Sequence, residues 1–252
     1  MVDGADADTW SGLADGWSRY WGASTAPVHE VLIQAAGIRG GMRVLDVGCG
    51  SGEFLARLVA DGVLVAGVDP APGMVELARR RVPGGQVHPG DAEDIPFEDN
   101  SFEVVTAVNA LQFAAYPFDA LDEWARVLVQ GGMVAVANWA EGARNDLDVL
   151  ERAVADAAGE PLAPDGELRR PGGLENVLAE AGLEVLAAGI IATPWQPADD
   201  HDLVHGVLLG EFEGTMSDRA PVVLAAAAPF RRPDGGYLLH NHHRWAVARH
   251  VI

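Results

Sequence analysis

The sequence predicts a doubly wound α/β fold with a parallel sheet at its centre. Three observations carry that prediction. Short, branched apolar runs alternate with helical segments from residue 43 to residue 139. A glycine-rich turn, GCGSG, joins the first run to the helix after it. The chain has 252 residues, 49% of them apolar, enough to bury one sizeable core. Strands covered by helices on both faces read as continuous apolar runs, which is the pattern here.

The elements follow in order. In DTWSGLADGWSRYWG, residues Trp10, Leu13, Trp17, Tyr20 and Trp21 recur at helical spacing and make an aromatic stripe. A second helix spans Val28–Ala36 and is stopped by Gly37. RVLDV (Arg43–Val47) is the first strand, and the helix Glu53–Ala60 ends at Gly62. LVAGVD is the second strand, and PGMVELARRR is a helix closed by Pro83 and Gly84. Gln86–Pro89 and Phe102–Val108 are the third and fourth strands, Pro117–Val129 a helix, and MVAVANW the fifth strand. Beyond residue 140 helices are expected at Leu147–Ala157 and Gly172–Ala181, and a strand at Leu183–Ile191. Pro161–Pro164 and Pro194–Pro197 mark loops. A helical stretch between Ala198 and Ala227 precedes a last strand, LLHNHHRWAVARH, entered by a hairpin-like reversal at Asp234-Gly235-Gly236.

Charge narrows the partners. Acids number 37 and bases 17, for a formal charge of −20. Nucleic-acid binding relies on Lys and Arg neutralising phosphates, and no basic stripe is visible. Anionic membrane surfaces are disfavoured for the same reason. No apolar run reaches the roughly 18–20 residues of a spanning helix. The acidic start, MVDGADADTW, lacks the order of a signal peptide, so a cytoplasmic protein is expected. One cysteine, Cys49, excludes an internal disulfide and a cysteine zinc site.

The chemistry centres on Gly48, Gly50 and Gly52, which let a ligand approach the backbone beyond a strand end. A dinucleotide fingerprint would need glycine at 53, where Glu53 stands. That glutamate also opposes a pyrophosphate at the helix start. Asp69 ends the second strand about 20 residues after the loop, where a carboxylate accepts both ribose hydroxyls. The site therefore suits a nucleoside without phosphate. Asp46 adds negative potential for a cationic ligand, or else orients the loop.

VLDVGCGSG (Val44–Gly52) resembles the first motif of class I S-adenosylmethionine-dependent methyltransferases. GVDPAPGMVELAR resembles the segment bearing the family's ribose acid, and GDAEDIPFEDNSFEVV its adenine-binding stretch. RVLVQGGMVAVANW resembles the helix, turn and fifth strand of the ubiquinone/menaquinone-type branch. The match runs from about Val28 to Trp139, and more weakly through RRPGGLENVLAEAGLEVL and the last strand. The resemblance implies a seven-stranded Rossmann-like sheet, its last strand antiparallel between the fifth and sixth. It implies S-adenosylmethionine as cofactor and S-adenosylhomocysteine as product. Asp91, with Ala92, would take the adenine amino group. Cys49, Pro70 and Met74 would lie along the cofactor, and Asn109, Ala110 and Gln112 beside its methionine part. Gln112 and Phe113 depart from the family in a region that varies with the acceptor.

A single domain over 1–252 is expected: an N-terminal helical lid (1–26), a cofactor core (27–139), and acceptor-pocket helices with closing strands (140–252). Trp17, Tyr20, Trp21, Phe113, Trp139 and Trp195 are the expected acceptor contacts, drawn from the stretches Trp10–Trp21, Gln112–Phe113, Trp139–Asn145 and Trp195–Leu209. An aromatic lid could cover a sulfonium by cation–π attraction. HDLVH sets His201 and His205 at i and i+4, as weak candidates for a base; the shorter Asp202 argues against a zinc-protease site, and no metal is expected. On a strand, period-2 geometry separates His242 from His243. The expected reaction is methyl transfer to a small organic acceptor, with a monomer or homodimer as the unit. The alternative is a methyltransferase-fold enzyme that promotes cyclisation or rearrangement with the cofactor bound. A degenerate binding protein is disfavoured by the intact set Gly48, Gly50, Asp69 and Asp91.

Overall fold

The computed structural model describes residues 6–251. The first five residues of the expected 1–26 segment, part of the acidic start, lie outside them. Five parallel strands come first: β1 (Arg43–Val47), β2 (Leu64–Asp69), β3 (Gln86–Pro89), β4 (Phe102–Val108) and β5 (Leu128–Trp139). With β6 (Glu184–Ala192) and β7 (His242–Arg249) they form one sheet in the order β3-β2-β1-β4-β5-β7-β6. Strand β7 runs antiparallel to both neighbours, with Trp245 paired to Ala137 of β5 and Gly189 of β6. The doubly wound sheet and its antiparallel insertion are as the sequence and its resemblance imply.

Helices cover both faces. Helices α2 (Ala26–Ala35), α3 (Glu53–Ala60) and α4 (Pro72–Arg81) bury Val28, Leu32, Phe54, Leu55, Leu58, Val75 and Ala78 on one face. On the other, α5 (Pro117–Val127) and α7 (Gly173–Glu180) bury Leu121, Trp124, Leu174 and Leu178. Trp124 is fully buried and donates its Nε1–H to the Ala92 carbonyl at 3.1 Å. Burying an aromatic or aliphatic side chain of this kind stabilises by roughly 1.5–3 kcal/mol.

A third core lies at the carboxyl edge of the sheet. It joins α1 (Ala7–Tyr20), α6 (Asp146–Ala158), α8 (Asp200–Val207) and α9 (Glu213–Ala227) through Trp21, Trp139, Leu150, Trp195, Leu203 and Val223. Helix α1 begins at Asp6, whose carboxylate accepts from Thr9 N at 2.8 Å. It also reaches α4, where Ser11 Oγ accepts from Gly73 N at 2.8 Å.

Several boundaries shift by one or two residues, and two strand starts shift by more. Strand β5 begins at Leu128 rather than Met133, because Leu128 pairs with Phe102 and a register shift absorbs the glycines before Met133 pairs with Val104. Strand β7 begins at His242, four residues later than expected. The preceding segment is held piecewise instead: Leu239 pairs with Trp195, and Asn241 Oδ1 accepts from Leu147 N at 3.1 Å. The reversal at 234–236 is present, with Arg231 paired to Tyr237.

Candidate active site

Strand β1 delivers the chain into the glycine loop. Gly48 has φ +67, and a Cβ there would sit 2.4 Å from the Ala110 Cβ. Gly52, at φ +84, lies with the corresponding position 2.9 Å from the Ala78 Cα. These two glycines let the loop pack against the turn after β4 and against α4. Gly50, at φ +51, has open space beside it, so its backbone faces a cleft. The loop borders a cavity of about 920 Å³. That is near the top of the roughly 300–1,000 Å³ range of small-molecule sites.

Asp69 ends β2 and is only 8% exposed. Its Oδ2 accepts from Gly50 N and its Oδ1 from Ala71 N, each at 2.9 Å. Burial pushes its carboxyl above the usual range; the two N–H donors oppose the push, and Asp91 adds to it. Each oxygen retains a second lone pair for a ligand hydroxyl. Asp46 is more deeply buried, with Oδ1 accepting from the Thr106 hydroxyl at 2.7 Å. Burial pushes Asp46 up to about 7; Thr106 opposes this, and Asp69 and Glu53 add to it. The Cys49 thiol is likewise pushed up by burial and is no nucleophile.

Glu53 occupies the start of α3. Both of its carboxylate oxygens accept from Ser51 Oγ at 2.7 Å, and Oε1 pairs with Arg81 at 2.6 Å. Glu53 thus sets a carboxylate near the positive end of the helix, where its charge disfavours a pyrophosphate.

The turn after β4 holds Asn109 at φ +52, an uncommon conformation for a non-glycine residue. Asn109 Oδ1 accepts from Trp139 N at 3.2 Å, and Nδ2 lies 3.0 Å from His243 Nε2. His243 Nδ1 lies 2.8 Å from Thr193 Oγ1. Burial holds His243 down to about 3, so the ring is neutral; its Nε2 accepts from Asn109 and its Nδ1–H donates to Thr193. His242, beside it, is only half-buried, so the two histidines do face apart.

All twelve expected cofactor positions line this cavity: Asp46, Gly48, Cys49 and Gly50 from the loop, Asp69, Pro70 and Met74 after β2, Asp91 and Ala92 after β3, and Asn109, Ala110 and Gln112 after β4. Of the expected acceptor positions, Trp17, Trp21, Phe113 and Trp139 line it too, with Trp10 beside them. Tyr20 and Trp195 lie outside the lining. Tyr20 sits about 80° round α1 from the Trp10–Trp17–Trp21 stripe. Its ring meets His201 and His205 at 6.4 and 6.0 Å. Trp195 stacks behind Trp21 at 4.1 Å and donates its Nε1–H to the Tyr20 carbonyl at 2.8 Å.

The stretch 195–209 as a whole therefore braces the aromatic wall from behind. Its expected place in the lining is taken by the loop 162–169, which the sequence marks only by its prolines. His201 is exposed and His205 half-buried, and neither lines the cavity. The geometry gives this pair no route to a ligand there. Among the described residues, Asp199, His201 and Asp202 could converge on a cation, but the first two are exposed and Asp199 already caps α8.

Sequence reasoning missed two buried polar residues of the lining. His29 of α2 is 6% exposed, stacks on Phe54 at 4.4 Å and lies 3.1 Å from Thr25 Oγ1. Burial lowers it to about 4, so it too is neutral. Asn138 of β5 is 2% exposed and donates from Nδ2 to Gln112 Oε1 at 2.5 Å. His29 belongs to none of the motifs above, and Asn138 lies in the RVLVQGGMVAVANW segment without being singled out there.

Residues 45–136 match a family model described as a methyltransferase domain. The demethylmenaquinone methyltransferase of Clavibacter sepedonicus is 37% identical over 123 residues, 46% of this chain and 50% of that protein. The chain thus spans about half the length of the curated relatives it matches. A Bacillus halodurans protein assigned as a methyltransferase superposes with a TM-score of 0.61 at 20% identity, covering 89% of this chain and 99% of that one. The [4+2]-cyclase SpnF gives 0.60 at 18% identity, over 89% and 80%. At these identities the two structures speak for the fold. The match across residues 45–136 takes in the glycine loop and the acid at the end of β2, so over that stretch the chain is similar to methyltransferase domains such as those of the demethylmenaquinone methyltransferases.

Proposed function

We propose that the chain binds S-adenosylmethionine and transfers its methyl group to a small organic acceptor. One observation carries the reading: the glycine loop, Asp69 and the Asn109–Gln112 turn converge on a single cavity, large enough for two ligands, with tryptophans along its wall. The residues suit this cofactor, because Glu53 puts a carboxylate at the helix start, where its charge disfavours a phosphate. S-adenosylmethionine supplies a methyl group already activated on a sulfonium.

The protein's part is to hold, align and exclude water. The spare lone pairs of Asp69 suit a ribose, and Asp91 stands at the cavity edge for the adenine amino group. Asp46 and Asp69 give the loop a negative potential that favours a cationic ligand. Trp10, Trp17 and Trp21 make α1 a lid that keeps water from the reacting groups. Carboxylates in the lining outnumber its one guanidinium, Arg169, which favours neutral or cationic acceptors over polyanions such as RNA.

No helix among the described residues is long and apolar enough to cross a membrane. A cytoplasmic enzyme, monomeric or homodimeric, is part of the proposal. The test is to incubate the protein with S-adenosylmethionine and a panel of small metabolites. S-adenosylhomocysteine should form together with a product heavier by one methylene. The resemblance to SpnF in fold makes the other outcome concrete. A substrate consumed with neither signal would favour cyclisation or rearrangement instead.

A further inference from the structure

Asn138 stands one residue before the end of β5, and Gln112 lies just beyond β4. Both line the cavity at the carboxyl edge of the sheet, where α/β folds take their ligands. The Asn138 side chain is tethered at one end only. Its Nδ2 donates to Gln112 Oε1, while its Oδ1 is buried and has no hydrogen-bond partner. A buried carbonyl oxygen without a donor is destabilising, and such a group persists where a ligand completes it. A leucine of nearly the same shape would fill this position without that cost.

We propose that Asn138 is a specificity-determining residue of the acceptor half of the cavity. Its Oδ1 accepts a hydrogen bond from a hydroxyl or N–H group of the acceptor, and Gln112 fixes the amide in that orientation. The inference rests on the reading of the cavity as a methyltransferase site. It gives the acceptor a required feature: a hydrogen-bond donor. An amide oxygen is no base, so Asn138 orients the donor and takes no proton. Molecules lacking the donor leave Oδ1 orphaned and are rejected, as sites built around a buried polar group reject analogues that cannot pair with it.

Phenol and anisole are suitable probes, because they share a ring and an oxygen but only phenol donates. The protein is first titrated with S-adenosylhomocysteine by calorimetry, which tests the cofactor reading alone. Phenol and anisole are then titrated into the saturated protein, or into the free protein if the first ligand does not bind. Phenol should bind at least about tenfold more tightly than anisole, the worth of one buried hydrogen bond. Asn138→Leu should bring the two within about threefold, since the donor then has no partner. Its S-adenosylhomocysteine affinity is measured alongside, so that any change at the neighbouring Gln112 is read separately from the phenol-to-anisole ratio. Gln112→Ala, at an exposed position, tests the same idea if the first variant fails to fold: freeing the amide should shrink the preference. Equal binding of the two probes, tighter binding of anisole, no saturable phenol binding, or a preference that survives in both variants would each overturn the proposal.

Discussion

Asp46→Asn should remove much of the pH dependence of cofactor binding. The carboxyl of Asp46 is held at about 7, chiefly by burial. A cationic ligand at the loop requires it ionised. At pH 6 ionisation costs about 1.4 kcal/mol, one pKa unit, which is a factor of about ten in Kd; at pH 8 the group is already charged. Wild-type affinity for S-adenosylmethionine, titrated without acceptor, should therefore weaken about tenfold from pH 8 to pH 6, with protons released on binding near pH 6. The ligand's own ammonium titrates identically with both proteins, so the difference between wild type and variant isolates Asp46. Calorimetry in two buffers of different ionisation enthalpy measures both the affinity and the protons. Equal pH slopes for the two proteins would refute the reasoning. Stability supplies an independent check. The folded state keeps this proton above the ordinary 3.8, so stability falls as pH rises from about 4 to about 7. The loss is on the order of 4 kcal/mol, and Asp46→Asn should recover part of it at pH 8, seen as a higher Tm.

Further outcomes are expected. Asp69→Ala removes the acceptor for Gly50 N and Ala71 N as well as the proposed ribose contacts. Cofactor binding should weaken by about 1.5–3 kcal/mol per charged bond lost, and Tm should fall as well; unchanged affinity in a folded variant refutes the assignment. Deleting residues 1–21 strips Trp21 from Trp195 and removes its Nε1–H from the Gly206 carbonyl, 3.0 Å away. Cofactor and acceptor affinity should both drop, and wild-type turnover in the truncated protein would reduce α1 to packing. His201→Ala and His205→Ala, outside the cavity, should each change stability by under about 0.5 kcal/mol and leave turnover near wild type. A large fall in turnover at constant cofactor affinity would restore the pair as a base. His29 and His243 are neutral in the folded protein but charge when unfolded. Stability should therefore fall as pH drops below 6.5 toward about 4 and about 3, and His29→Gln should blunt the acid limb of a Tm profile.

The first half of the fold was legible because its punctuation is local. Strands β1 to β4 and helices α3 and α4 are bounded by residues such as Gly48, Gly62, Pro72 and Pro83, and their limits agree with the sequence reading. The glycine-loop half of the candidate site was legible for the same reason: Gly50 and Asp69 lie 19 residues apart and bond directly. Tyr20 and Trp21 show the limit of a stripe read by eye. Adjacent on the helix, they differ by about 100° in direction, and only Trp21 reaches the cavity. Asn109 and His243 meet across 134 residues, and no short-range pattern announces such a contact. Asn138 likewise matters through what its oxygen lacks, which residue identity alone does not reveal.

The place of β7 in the sheet has a consequence for the order of folding. Strand β6 pairs with β7 and not with β5, so it has no seat on the growing sheet until a later segment arrives between them. A chain emerging from the ribosome can assemble β1 to β5 early and locally. It must then hold β6 in waiting while α8 and α9 are made. The closing event is a long-range insertion, the kind of step that slows folding and leaves strand edges exposed. His243 travels on that strand, so Asn109, already held by Trp139 of β5, gains its second side-chain partner only at the same moment. The catalytic edge and the completed sheet thus mature together. A half-folded intermediate has the nucleotide loop but not the clamp on the turn beside it, and it should be inactive until the last strand docks.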